Sequence, residues 1–156
     1  YCVTKSTIDE GISWASDKLP VVIKPVDGTG SRDVFMIFSI TELSEMLKYV
    51  MFEKNNTEYI IQRKVKGTEY QFDISSCNGE LGVVAIWSAY RSYRGYSWLE
   101  NYNDMSDEFK KSMVSLLEML SRLDKIYGLY HVETIFDGTN LKVIEINFRN
   151  HGHMPQ

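Results

Sequence analysis

Residues 128–149 read GLYHVETIFDGTNLKVIEINFR. Two runs rich in β-formers, 129–136 and 141–148, flank the turn-forming cluster Asp137-Gly138-Thr139-Asn140, a pattern that predicts a β-hairpin. Alternation along a strand puts His131, Glu133 and Ile135 on one face, and Glu145, Asn147 and Arg149 on one face of the partner. With a three-residue loop and Asn140 in the left-handed conformation, Asp137 pairs with Leu141 and Glu133 falls opposite Glu145. Facing like charges destabilise a strand pair unless something positive sits between them. Two carboxylates and the amide oxygen of Asn147 are all hard oxygen donors, a set that suits Mg²⁺. Taken singly, each glutamate reads as a solvated side chain of an ordinary hairpin. The combination gains meaning only from the rest of the chain.

The 156 residues are 44% hydrophobic, enough for one sizeable core or two small lobes. A net charge of −4 and a pI near 5.4 argue against a protein built to grip nucleic acid. No apolar run approaches membrane-spanning length, and no signal-peptide pattern opens the sequence. The chain begins at Tyr1 without a methionine, which suggests a piece of something longer. Cys2 and Cys77 form no CxxC pair and no disulfide framework, which favours a cytoplasmic setting.

Along the chain, residues 6–18 predict a short amphipathic helix capped by Ser6 or Thr7, with Ile8, Ile12 and Trp14 on its apolar side and Pro20 stopping it. Residues 21–24 are a strand ending in Lys24. The loop 25–31, PVDGTGS, is glycine-rich, and 34–39 is the next strand. Such a loop can turn backbone N–H groups toward an anion, although most glycine loops merely make turns. It is neither a Walker A loop nor a Rossmann fingerprint, because the lysine precedes the glycines and the loop joins two strands. Residues 41–51 are a helix capped by Thr41, with Leu43, Met46, Leu47 and Val50 as a core stripe. Residues 58–63 are a strand returning beside 21–24.

Asn78-Gly79 then lies between two alternating runs and marks a hairpin that pairs Cys77 with Glu80 and Phe72 with Ala85. That register gives Tyr70, Phe72, Ile74, Val83, Ala85 and Trp87 a common core face, with Glu69, Gln71 and Asp73 opposite. Residues 91–103 read as a loop whose aromatics either pack or cover a ligand. Ser106 caps a long helix running to about 127, with Met113, Leu116, Leu117, Leu120 and Leu123 buried. The pattern predicts an α+β chain of two lobes, 1–63 and 64–156, hinged near 62–64 and able to close over a ligand.

Three separated segments, in this order, resemble the ATP-grasp superfamily, and most of all its carboxylate–amine ligase branch, which includes the L-amino-acid ligases. They are LPVVIKPVDGTGSRDVF, IIQRKVKGTEYQFDI with Gly67, Glu69 and Asp73 as G-x-E-x-x-x-D, and HVETIF followed by VIEINFR. The resemblance implies a mainly antiparallel α+β fold in which two lobes grip ATP between them. It implies that Lys24 contacts phosphate and that Thr29, Gly30 and Ser31 close over the phosphates through backbone amides. Ile61, Gln62 and the backbone of Arg63, Lys64 and Val65 would read the adenine edge, and Glu69 would accept from the ribose hydroxyls. Glu133, Glu145 and Asn147 would hold Mg²⁺, with Mn²⁺ as the alternative, and Arg149 would stabilise an acyl phosphate. Small carboxylates and amines are then the substrates, with no nucleic-acid or membrane partner. A homodimer formed through segments outside this chain is allowed.

Two features depart from the family pattern. Gln62 stands where an acidic residue is usual. Residues 150–155, NHGHMP, follow Arg149 in place of consecutive glycines. A further phosphate-binding lysine and the N-terminal domain would lie upstream of Tyr1. His131, His151 and His153 raise a zinc reading, but no HExxH or comparable spacing supports it, and substrate-loop or surface histidines fit better. Two alternatives stand beside the ligase: an ATP-grasp carboxylase or purine-pathway enzyme, and a non-catalytic ATP-binding domain.

Overall fold

The computed structural model describes residues 1–28, 32–54, 57–90, 96–123 and 127–149, with backbone alone at Tyr90, Tyr96 and Ser97. The chain divides into two compact units, Tyr1–Lys64 and Val65–Gln156. Each has its own antiparallel sheet and its own apolar cluster, so the architecture is α+β.

In the first unit the strand order is β1-β4-β2-β3, with β1 (Cys2–Thr4), β2 (Val21–Pro25), β3 (Phe35–Ile37) and β4 (Glu58–Arg63). Val21, Ile23, Ile37, Tyr59 and Ile61 alternate inward and are fully buried beneath α1 (Ile8–Ala15) and α2 (Ile40–Lys48). Helix α1 lies so close to the sheet that a Cβ on Gly11 would sit 3.0 Å from Ile61 Cδ1. The cap of α2 is Ser39, not Thr41: Ser39 Oγ accepts from Glu42 N–H at 3.1 Å, and Glu42 accepts from Phe38 N–H at 2.8 Å. The helix passes into a wider π turn at Tyr49–Glu53. Strand β1 is an addition to the expected elements, being three residues long and too short to show a period.

The second unit orders its strands β7-β6-β5-β8-β9. They are β5 (Thr68–Cys77), β6 (Glu80–Tyr90), β7 (Tyr96–Leu99), β8 (Gly128–Phe136) and β9 (Leu141–Asn147). One face packs on α3 (Asp107–Ser121), whose Phe109, Met113, Leu116 and Leu120 are buried against Phe72, Ile74, Tyr130 and Val132. Ser106 caps this helix as expected, its Oγ accepting from Phe109 N–H. The helix ends six residues before the expected 127, and Leu123 is exposed. Tyr70, Phe109 and Phe136 form a ring cluster, with centroids 4.7 and 5.2 Å from Phe109. Part of the expected loop 91–103 is strand β7; residues 91–95 lie outside the described residues.

Both hairpins contain a bulge that simple alternation does not anticipate. The Asn78-Gly79 turn has φ of 54° and 85°, the doubly left-handed geometry of a two-residue turn, and Cys77 pairs with Glu80. The register then shifts at Val84, so Phe72 pairs with Ile86 and not with Ala85. Ile86 takes the core position, and Ala85 and Trp87 move to the polar face. In the last hairpin the connection has four residues and pairs Phe136 with Leu141. Its left-handed residue is Gly138 (φ 98°), not Asn140. Asp137 Oδ1 holds the turn by accepting from Thr139 and Asn140 N–H at 3.0 and 2.8 Å. A bulge at Ile144 then restores the pairing of Glu133 with Glu145. The expected pair is reached through two offsetting differences.

Candidate active site

In the first unit, Lys24 pairs with Ile60 and Val22 with Gln62, on the sheet face opposite the buried Ile23 and Ile61. Lys24, Ile60 and Gln62 are half-buried there. The structure removes Ile61 from the expected base-reading set. Its side chain is fully buried, its N–H donates to Tyr1 O, and its carbonyl accepts from the Tyr1 amino group, both at 2.8 Å. Ile60 is the isoleucine that shares a face with Lys24. Of the expected backbone readers, Lys64 N–H is bonded to Pro20 O at 3.0 Å, and the Arg63 side chain is exposed on the strand's helix-facing side. Thr29, Gly30 and Ser31 lie outside the described residues, as do His151 and His153.

In the second unit, the sheet face away from α3 carries a continuous polar row. Glu145 on β9 pairs with Glu133 on β8, Glu133 with Gln71 on β5, and Gln71 with Trp87 on β6. One step along, Asn147 pairs with His131 and His131 with Asp73. Asn147 Nδ2 donates to Glu145 Oε1 at 2.8 Å, so its amide oxygen is the atom it has to offer a cation. The Glu133 side chain keeps 22% of its surface. Glu69, two residues from Gln71 on the same face, accepts from Gln71 Nε2 at 3.3 Å. Arg149 is exposed in a bend beyond the end of β9, so strand alternation does not carry it onto the face of Glu145 and Asn147 as expected.

Neutral and anionic oxygens with no sulfur fit a hard divalent cation, and Glu133, Glu145 and Asn147 are such a set. Among the described residues no three His, Cys, Asp or Glu side chains converge as a metal cluster. The expectation of a surface or substrate-loop histidine fails at His131. It is 2% exposed, with Nδ1 3.0 Å from Asp73 Oδ1 and Nε2 3.9 Å from Glu133 Oε1. Asp73, 3% exposed, also accepts from Trp87 Nε1 at 2.7 Å. Sequence reasoning misses this arrangement because it needs β5 beside β8, 58 residues away, and Trp87 on the polar side of the bulge. An aspartate in the middle of an otherwise core-forming strand is the available signal.

The sequence profile of the ATP-grasp domain family matches residues 7–153. The chain is 21% identical over 140 residues to the carbamoyl phosphate synthase large chain of Clostridium acetobutylicum, covering 87% of this chain and 13% of that protein. It is 23% identical to dapdiamide A synthase of Enterobacter agglomerans, covering 92% of this chain and 38% of that one. Its fold is similar to the crystal structure of D-alanyl-alanine synthetase A from Vibrio cholerae, with a TM-score of 0.75 at 13% identity, covering 95% of this chain and 49% of the other. The chain therefore spans less than half the length of each of these proteins. Among the described residues no helix is long and apolar enough to cross a membrane.

Proposed function

The chain belongs to the ATP-grasp family, and from that footing we propose that it supplies the nucleotide-handling part of a ligase that joins a carboxylate to an amine. The observation that carries this reading is the pairing of Glu133 with Glu145 beside Asn147 on a sheet face that, among the described residues, no helix of the unit covers. Lys24 contacts ATP phosphate, Thr29, Gly30 and Ser31 close over it, and Gln62 with the segment from Arg63 to Val65 meets the base. Glu69 accepts from the ribose, and Arg149 neutralises charge on the transferred phosphoryl group. Glu133, Glu145 and Asn147 would hold Mg²⁺ or Mn²⁺, which supplies charge neutralisation at the phosphates.

A substrate carboxylate oxygen attacks the γ-phosphorus, and the bond to the bridging oxygen breaks to release ADP. The amine then attacks the acyl carbon, phosphate leaves, and the amine loses its proton. These residues position charge and perform no covalent step themselves. Dapdiamide A synthase and D-alanyl-alanine synthetase, by their names, make amide products, which supports an amino-acid or peptide-like pair of substrates. Two exposed free cysteines suit a cytoplasmic setting.

The test is phosphate and ADP release by the full-length protein across amino acids and small carboxylates, with hydroxylamine trapping the acyl phosphate as a hydroxamate. ATP turnover that needs both an acid and an amine supports the reading; release with no dependence on either overturns it. The likeness to a carbamoyl phosphate synthase favours one second reading, a one-carbon acid such as bicarbonate, which the same assay separates.

A further inference from the structure

The two ends of the glycine-rich loop 25–31 are held in different ways. Its entry is held by backbone and packing. Pro25 pairs with Tyr59, and Val26 N–H donates to Glu58 O at 3.4 Å. Gly28 folds so close to the Pro25 ring that a Cβ there would lie 2.4 Å from Pro25 Cγ. The exit is held by a side chain. The ladder pair nearest to it is Ile23 with Phe35. Asp33, in the turn before β3, sets its carboxylate against the Lys54 ammonium, 21 residues on.

Lys54 is itself fixed. Val50 and Met51, fully buried, seat the π turn on the core of the unit. Lys54 N–H closes that turn onto Tyr49 O at 3.1 Å, and its ammonium lies 5.8 Å from the Tyr49 ring centroid. Asp33 has φ of +57°. Glycine takes that conformation without a steric cost, whereas a residue with a side chain does not. Aspartate tolerates it better than most, and here its carboxylate gains a partner that glycine could not.

We infer that Asp33 and Lys54 are positioning residues that pin the exit of the 25–31 loop to the core of the first unit, so that less freedom is lost when the loop meets a nucleotide phosphate. The inference rests on the phosphate-binding reading of Lys24 and this loop given above. It adds two residues that act through the loop and need not touch the nucleotide. Both keep about a third of their side-chain surface, 36% for Lys54 and 33% for Asp33. An ion pair so exposed adds little to folding stability. Its effect therefore belongs in nucleotide affinity and not in Tm.

The test is calorimetric titration of a non-hydrolysable ATP analogue with Mg²⁺ into the full-length protein, with Tm recorded alongside. The variants are Lys24→Ala, Lys54→Met, Lys54→Arg, Asp33→Gly and the double variant Asp33→Gly/Lys54→Met. Asp33→Gly keeps the backbone conformation and deletes the carboxylate; Lys54→Met deletes the charge and Lys54→Arg keeps it. The expected result is about a threefold rise in the dissociation constant for Asp33→Gly and for Lys54→Met, within the reach of one exposed ion pair. The double variant should be no weaker than either single, because both break one link. Lys54→Arg should bind as wild type does, and Tm should stay level for both Lys54 variants. The sign at Asp33 is decisive, since removing a negative charge near an anion site would by itself tighten binding. If Asp33→Gly binds as tightly as wild type or tighter while Lys24→Ala binds more weakly, the positioning role is refuted and the nucleotide reading survives. Losses that add up in the double variant would refute the link as well. If Lys24→Ala leaves the dissociation constant unchanged, the nucleotide reading of this loop falls and the positioning role falls with it.

Discussion

Gly67→Ala tests how tightly the second unit closes on its first residues. A Cβ at Gly67 would lie 2.1 Å from Phe136 O, 2.7 Å from Phe136 C and 2.8 Å from Ile135 Cγ2, and the residue has φ +156°. The nearest atoms are backbone, so no side chain can swing aside. Phe136 O would have to retreat by roughly 1 Å to reach even a tight contact. It cannot do so alone, because Phe136 is paired with Thr68 on one side and Leu141 on the other.

Loosening both pairings loses about two ladder hydrogen bonds at about 1 kcal/mol each. A side chain at positive φ adds about 1–2 kcal/mol. The expected loss is about 3 kcal/mol, or about 6–12 °C in Tm for a chain of this size. The assay is urea unfolding with calorimetric melting, and the control is Gly79→Ala. Gly79 also has positive φ, +85°, but a Cβ there would meet nothing within 4 Å. That variant isolates the backbone term, about 1–2 kcal/mol. A Gly67→Ala loss no larger than that of Gly79→Ala would refute the steric argument.

Three further outcomes are expected. Lys24→Ala should raise the KM for ATP about tenfold or more, the worth of a charge-assisted hydrogen bond, with an unchanged circular dichroism spectrum; unchanged kinetics would show that Lys24 does not meet the nucleotide. Glu145→Gln should abolish turnover yet leave the ligand-free Tm level or slightly higher, because about 0.2–1 kcal/mol of like-charge repulsion across the strand pair is relieved. A mutant that melts lower without ligand, yet gains as much from Mg²⁺–ATP as wild type, would overturn the metal role. The Asp137 carboxylate is held below its ordinary value by backbone N–H bonds from Asn140 and then Thr139, with Lys142 adding to the effect. Its stabilisation is therefore present above the unfolded value of about 4 and lost as pH falls through the lower folded value. The Tm gap between wild type and Asp137→Asn should be widest near neutrality and vanish on acidification; a gap that persists at pH 2 would contradict this.

Much of this fold is legible because its elements are local. Strand β4 falls at the expected 58–63, the Asn78-Gly79 turn pairs Cys77 with Glu80, and Ser106 caps α3. What escapes the sequence is non-local or depends on counting. Nothing near Cys2 announces β1, because its reason to be a strand is the edge of β4, some 56 residues on. Leu123 carries the helical period but lies exposed past the end of α3, and periodicity alone cannot say where packing stops. Ile61 and Ile60 are adjacent isoleucines, and only the phase of the strand against α1 decides which is buried. The carboxylate pair is legible from spacing, whereas the buried Asp73–His131 contact requires knowing which strands are neighbours.

The bulge at Ile144 makes β9 two strings in antiphase. Before it, the odd residues Leu141 and Val143 face the apolar cluster; after it, the odd residues Glu145 and Asn147 face the other way and the even Ile146 turns inward. Removing that one residue would leave one regular alternation in which Leu141, Val143 and Ile146 still face the apolar cluster and Glu145 and Asn147 still face away from it. Drawing Ile144 into the ladder as an ordinary residue would instead turn Glu145 and Asn147 inward and Ile146 out to water. The chain thus tolerates change in the tip of this hairpin on different terms from change in its shaft. A single-codon deletion at 144 would therefore spare both the carboxylate pair and the packing of the strand.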